Sequence, residues 1–83
     1  MRGSHINVTI SSKGLGDRSY DLRIPTRIET KRLIMELEKI FKQTLCHEKY
    51  QIKVKNKGFI LDEGHYLSEF QITDGDVLEV MES

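Results

Sequence analysis

Four stretches of this chain alternate apolar and polar residues, and only one carries a helical period, so a lone helix has to cover one face of a sheet. Ile6, Val8 and Ile10 alternate with Asn7, Thr9 and Ser11, the pattern of a strand with one buried face. Lys13-Gly14-Leu15-Gly16-Asp17 follows, with two glycines suited to positive φ, and Tyr20, Leu22 and Ile24 then resume the alternation against Asp21 and Arg23. These two runs form a hairpin. Pro25 ends the second strand because it lacks a backbone donor, and Thr26-Arg27-Ile28-Glu29 has the spacing of a capping box. The helix is therefore expected to start between Arg27 and Thr30.

At 100° per residue, Leu33, Ile34, Leu37, Ile40, Phe41 and Leu45 fall within an arc of about 140°, and Met35 lies far outside it. That arc is the expected core face. Arg32 with Glu36 and Glu38 with Lys42 stand four apart on the solvated side, each pair contributing about 0.2–0.5 kcal/mol. Beyond a connector, Tyr50, Ile52 and Val54 alternate with Gln51, Lys53 and Lys55 as a third strand. Asn56-Lys57-Gly58 turns into a short strand, Phe59-Ile60-Leu61, which Asp62-Glu63-Gly64 ends. Leu67-Ser68-Glu69-Phe70 suits one short helical turn, and Asp74-Gly75-Asp76 leads into a last strand with Leu78 and Val80 on one face.

Composition narrows the function. Eighty-three residues support one domain, which buries roughly 60–65% of the surface its unfolded chain exposes. Met1-Arg2-Gly3-Ser4-His5 reads as an expression-tag remnant, leaving residues 6–83 as the domain. With Arg2 set aside, twelve basic residues face thirteen acidic ones, which argues against non-specific nucleic-acid binding. No apolar run approaches the roughly 18 residues that a membrane span needs. Cys46 is the only cysteine, so an internal disulfide is impossible and a reducing compartment is expected.

An enzyme is not expected. Cys46 beside His47 suggests a thiol–imidazole pair, yet sequence neighbours point in different directions and a nucleophile needs its base within hydrogen-bond reach. His47, His65, Asp62 and Glu63 lack the close ligand spacing of zinc sites. Asp62, Glu63, Asp74 and Asp76 flank Gly64 and Gly75, where turn chemistry accounts for them. Gly14-Leu15-Gly16 is too short for a phosphate loop and follows a strand without opening a helix, so no cofactor is implied.

Leu61-Asp62-Glu63-Gly64, Leu67-Ser68-Glu69-Phe70-Gln71-Ile72 and the strand ending at Val80 resemble the end of ubiquitin, and the chain from Ile6 onward is similar to the β-grasp ubiquitin superfold. The implied fold is α+β, a mixed five-stranded sheet crossed by one helix in the order ββαββ-turn-β. Tyr20-Asp21-Leu22, Gln51-Ile52-Lys53-Val54, Lys57-Gly58 and Ile72-Thr73-Asp74-Gly75-Asp76 carry a closer resemblance to the YukD/EsaB family of small bacterial ubiquitin-like proteins. That resemblance implies a cytoplasmic, protein-binding accessory module of type VII secretion in Gram-positive bacteria, with protein components of the machinery as partners. Modifiers and sulfur carriers end in a Gly-Gly tail, which Met81-Glu82-Ser83 does not supply, so a non-conjugated module is expected. The alternatives are a modifier or carrier truncated before such a tail, and an adaptor domain excised from a larger protein.

A binding surface is the remaining candidate site. The main recognition patch of ubiquitin is apolar, and its matching positions here are Leu15, Lys53 and Met81, where the lysine breaks it. Lys53, Lys55 and Lys57 share an outward parity and form a candidate basic stripe. Phe59 and Ile60 stand where ubiquitin is polar; in a two-faced strand at least one of them should point away from the core, as a partner anchor or packed under Tyr66 or the nearby loop. Phe70 replaces a tyrosine whose hydroxyl ties down a turn in ubiquitin, so this chain needs another tie.

Overall fold

The computed structural model describes residues 5–16, 18–46 and 48–81. Met1 to Ser4 of the expected tag remnant, with Asp17, His47, Glu82 and Ser83, lie outside the described residues. The first alternation forms β1 (His5–Ser12) and the second β2 (Ser19–Pro25), paired antiparallel from His5 opposite Pro25 to Ser11 opposite Ser19. His5, assigned above to the tag remnant, is thus the first residue of β1. A 3-10 turn, Lys13–Leu15, joins the strands. Only Gly16 takes the positive φ expected of both loop glycines; Gly14 donates its N–H to the buried Ser12 hydroxyl at 3.2 Å.

The helix α1 spans Thr30–Phe41, and β3 (Gln51–Val54), β4 (Phe59–Leu61), a 3-10 turn at Leu67–Glu69 and β5 (Val77–Met81) complete the chain. The five strands form one sheet in the order β2-β1-β5-β3-β4. Its central pair, β1 with β5, is parallel and the other pairs are antiparallel. The expected order ββαββ-turn-β is the observed one. Leu33, Ile34 and Leu37 are fully buried against a sheet face built from Val8, Ile10, Ile52, Val54, Leu61, Leu78 and Val80.

The helix starts within the expected range, at Thr30, but its capping and its far end differ from expectation. Thr26 is not the N-cap that the expected capping box requires; Glu29 is, and it makes no side-chain capping bond. Instead the chain from Glu63 to Leu67 lies against the helix start: Thr30 and Lys31 donate their N–H groups to the His65 and Glu63 carbonyls at 2.8 and 3.3 Å, and Leu67 N–H donates to Ile28 O at 3.0 Å. Tertiary acceptors have replaced the local ones. At the other end the chain leaves the helix at Lys42, whose φ of 55° is left-handed. Leu45, expected on the helix, is therefore beyond it, though still buried. Glu38 does not pair with Lys42. Its carboxylate accepts the Leu45 and Cys46 N–H groups at 2.8 and 3.3 Å, because both residues enter the core and their backbone donors need an acceptor there.

The inner arc of α1 is also narrower than the sequence suggested. Thr30 is buried with Leu33, Ile34 and Leu37, which centres the arc about 70° away from Ile40 at 100° per residue. Ile40 is 58% exposed, a correction to its place in the predicted core.

The turn before β5 holds the most buried charge in the described chain. Asp76 is 2% exposed, and its carboxylate accepts from Asn56 Nδ2 at 2.8 Å and Thr73 N–H at 2.9 Å while pairing with Lys57 Nζ at 3.0 Å. Asn56 in turn accepts the Val77 N–H at 2.9 Å. Asp74 and Asp76 also fasten β1: Asn7 N–H donates to Asp74 Oδ1 at 2.8 Å, Gly75 N–H to Asn7 O at 2.8 Å and Thr9 N–H to Asp76 O at 2.9 Å. Burial alone would raise the Asp76 carboxyl's pKa, but the hydrogen bonds from Asn56, Thr73 and Lys57, with the charge of Lys57, outweigh it and hold the group below the usual carboxylate range.

Two measurements test these assignments. A carboxyl with a depressed folded pKa contributes stability that is present above its unfolded pKa and is lost as pH falls through the folded value. Urea unfolding of Asp76→Asn should therefore show a loss of about 2–3 kcal/mol at pH 7 and a flatter decline than wild type on acidification below about pH 4. Parallel pH curves would contradict the assignment. Likewise, Glu38→Ala should cost about 1.5–3 kcal/mol because two buried N–H groups lose a charged acceptor, whereas Glu36→Ala, on an exposed i,i+4 pair, should cost less than about 0.5 kcal/mol.

Candidate functional site

The sheet has one face under α1 and one face turned outward. Strand parity puts Asn7, Thr9, Ser11, Asp21, Arg23, Lys53, Ile60, Val77, Glu79 and Met81 on the outer face. In register, Lys53 stands between Ile60 of β4 and Glu79 of β5, and Gln51 lies opposite Met81. Lys53 and Lys55 are exposed, Ile60 is 45% exposed and Met81 is half-buried. Leu15 is half-buried in the 3-10 turn and packs against the core cluster, so it is part support and part surface.

Two of the predicted surface residues are committed to contacts within the chain. Lys57 does not continue a basic stripe, because β3 ends at Val54; its ammonium binds Asp76, the Gln71 carbonyl and the Thr73 hydroxyl. Phe59 faces inward, since it is the register partner of buried Val54. Its ring stacks on Phe70 at 5.4 Å, and His65 meets Phe70 edge-on at 5.3 Å. This aromatic group is the substitute tie that Phe70 required, helped by the Asp62 N–H donated to His65 Nδ1 at 3.2 Å. Ile60 is therefore the apolar residue of β4 that turns outward.

The chemical candidates are placed as structural groups. Cys46 is buried and its sulfur donates to the Met81 carbonyl at 3.2 Å, while His47 lies outside the described residues. Asp62 accepts from Gln51 Nε2 at 2.7 Å, and the Glu63 carbonyl serves the start of α1. Among the described residues, no group of three or more His, Cys, Asp or Glu side chains could hold a metal ion. No helix among them is long and apolar enough to cross a membrane.

Sequence reasoning missed a second surface, a groove between β2 and α1 lined by Leu22, Ile24, Ile28, Ile40 and Tyr66. At the far end of the helix, the rings of Tyr20 and Phe41 meet at 4.8 Å. The available signal was the position of Ile40 at the edge of the helical arc, which the assumption of a fully apolar inner face concealed.

Comparison with known proteins agrees with this architecture. Residues 5–80 match the family model described as "WXG100 protein secretion system (Wss), protein YukD". The chain is 32% identical over 77 residues to the "Type VII secretion system accessory factor EsaB" of Staphylococcus aureus strains Newman, COL and MRSA252, covering 93% of this chain and 96% of each relative. The C-terminal ubiquitin-like domain of mouse tubulin-specific chaperone e superposes with a TM-score of 0.70 at 15% identity, covering all of this chain and 91% of that domain, a likeness of fold alone. The sheet order, the single crossing helix and the match along residues 5–80 together show that the chain belongs to the YukD/EsaB family of ubiquitin-like type VII secretion accessory proteins.

Proposed function

We propose that this protein works in the cytoplasm as a non-covalent docking module, contacting a protein component of a WXG100-type secretion machine through the outer face of its sheet. Family membership over residues 5–80 is the observation that carries the reading. The geometry supports it in two ways. The Cys46, Asp62 and His65 side chains are engaged in structural hydrogen bonds, which favours a surface as the means of action. On the outer face, an exposed isoleucine stands beside an exposed lysine on neighbouring strands, an apolar anchor next to a charge that can orient a partner. The outer-face residues carried into this proposal are Lys53, Lys55 and Ile60, with Met81 and Leu15 at the margin.

The test is genetic and biochemical. Deletion of the gene in its host should reduce recovery of WXG100 proteins from the medium, and the wild-type gene should restore it. The double variant Lys53→Glu/Ile60→Ser should fail to restore export while its unfolding free energy stays within about 1 kcal/mol of wild type, since both side chains are exposed. Full export in the deletion strain would contradict the reading. A ladder of covalent adducts on immunoblots would contradict its non-covalent part.

A further inference from the structure

Four large apolar side chains stand exposed among the described residues, and three of them, Met35, Ile40 and Tyr66, line the groove between β2 and α1. The groove runs beside an open sheet edge. β2 ends the sheet, so it is hydrogen-bonded along its β1 side only. The opposite edge, β4, has three residues, whereas β2 has seven. An edge of that length is a template for another strand, and Pro25 removes a donor only at its last residue. A strand added there would place alternate side chains on the same side as Leu22 and Ile24, above the apolar groove.

Charge selects the ligand further. Arg23, Arg27, Lys31, Arg32 and Lys39 line the groove against two carboxylates, in a chain whose formal net charge is zero. One of those carboxylates, Glu36, is shared by Arg32 at 3.2 Å and Lys39 at 3.8 Å, Arg23 has outer-face parity and donates to Asn7 Oδ1 at 3.5 Å, and the Lys31 ammonium lies over the Tyr50 ring, so Arg27 is the cation best placed to orient a ligand. We propose that the groove between β2 and α1 binds an extended peptide as an added strand, with apolar residues at alternate positions facing Leu22 and Ile40 and with aspartates or glutamates flanking them. An amphipathic helix would fill the groove and leave the edge of β2 unpaired, so the open edge favours the strand. The inference stands apart from the secretion reading, because it concerns the purified chain and a synthetic ligand.

The experiment titrates the isotopically labelled full chain with the peptide Asp-Asp-Val-Thr-Ile-Thr-Val-Asp-Asp and follows backbone amides by NMR. Saturable shifts should appear in β2 and around Ile40, and a peptide N-methylated at the amides that face β2 should not bind. Ile40→Asp and Arg27→Glu, both at exposed positions, should each weaken binding about tenfold, as expected for an anchor and an orienting charge. Lys13→Glu, the same charge change at an exposed site outside the groove, should alter it by less than about twofold. Amide spectra of the variants check that each is folded. The proposal is overturned by lack of binding, by equal binding of a lysine-flanked peptide, by shifts confined to the outer face around Lys53, or by self-association of the chain through the groove.

Discussion

The Thr73-Asp74-Gly75-Asp76 turn is the constraint on which the rest of the molecule depends. The two central strands of the sheet are its first and last, β1 and β5, and they run parallel, so no hairpin can set their register. The turn does that work from one position. Asp74 binds Asn7 across 67 residues of chain, Asp76 O accepts from Thr9, and the Asp76 carboxylate reaches Asn56 and Lys57 at the end of β3. Three strands from both halves of the sequence are thereby joined through one turn, with the buried Asp76 carboxylate holding it to the segment after β3. A charge so deeply placed is tolerated because three donors surround it.

Once the sheet is fixed in this order, its surfaces follow. One face is consumed by Leu33, Ile34 and Leu37 of α1, and the other is left polar apart from Ile60, Val77 and Met81. The helix buries Leu33, Ile34 and Leu37 fully, and Ile40 emerges beside the edge strand β2. The molecule thus presents two unlike surfaces. The outer face displays a charge with an isolated anchor, and the groove displays apolar side chains under a cationic rim next to unpaired backbone.

Much of this was legible in the sequence. Period-two alternation located the long strands, the short motifs from Leu61 to Val80 placed the fold, and Tyr20-Asp21-Leu22, Gln51-Ile52-Lys53-Val54, Lys57-Gly58 and Ile72-Thr73-Asp74-Gly75-Asp76 placed the family. The departures share one physical cause: side chains and backbone groups took tertiary partners where local rules offered nearer ones. Glu38 has Lys42 one turn away, yet serves Leu45 and Cys46. The start of α1 uses His65 and Glu63 carbonyls in place of Thr26. Lys57 has the parity of an exposed stripe, yet answers the buried charge of Asp76. Periodicity describes one element at a time, so it cannot report which distant donor a buried carboxylate requires. For the same reason the groove stayed hidden, since it exists only where two separate elements, β2 and α1, meet.

Native-state hydrogen exchange of wild type and Asp76→Asn tests the role of this turn most directly. If the turn joins the strands, the amides of Asn7, Thr9, Lys55 and Val77, which lie on three different strands or their ends, should lose protection together in the variant, in step with Thr73 and Gly75. Loss of protection at Thr73 alone, with Asn7, Thr9 and Lys55 unchanged, would contradict it and reduce Asp76 to the cap of a single turn.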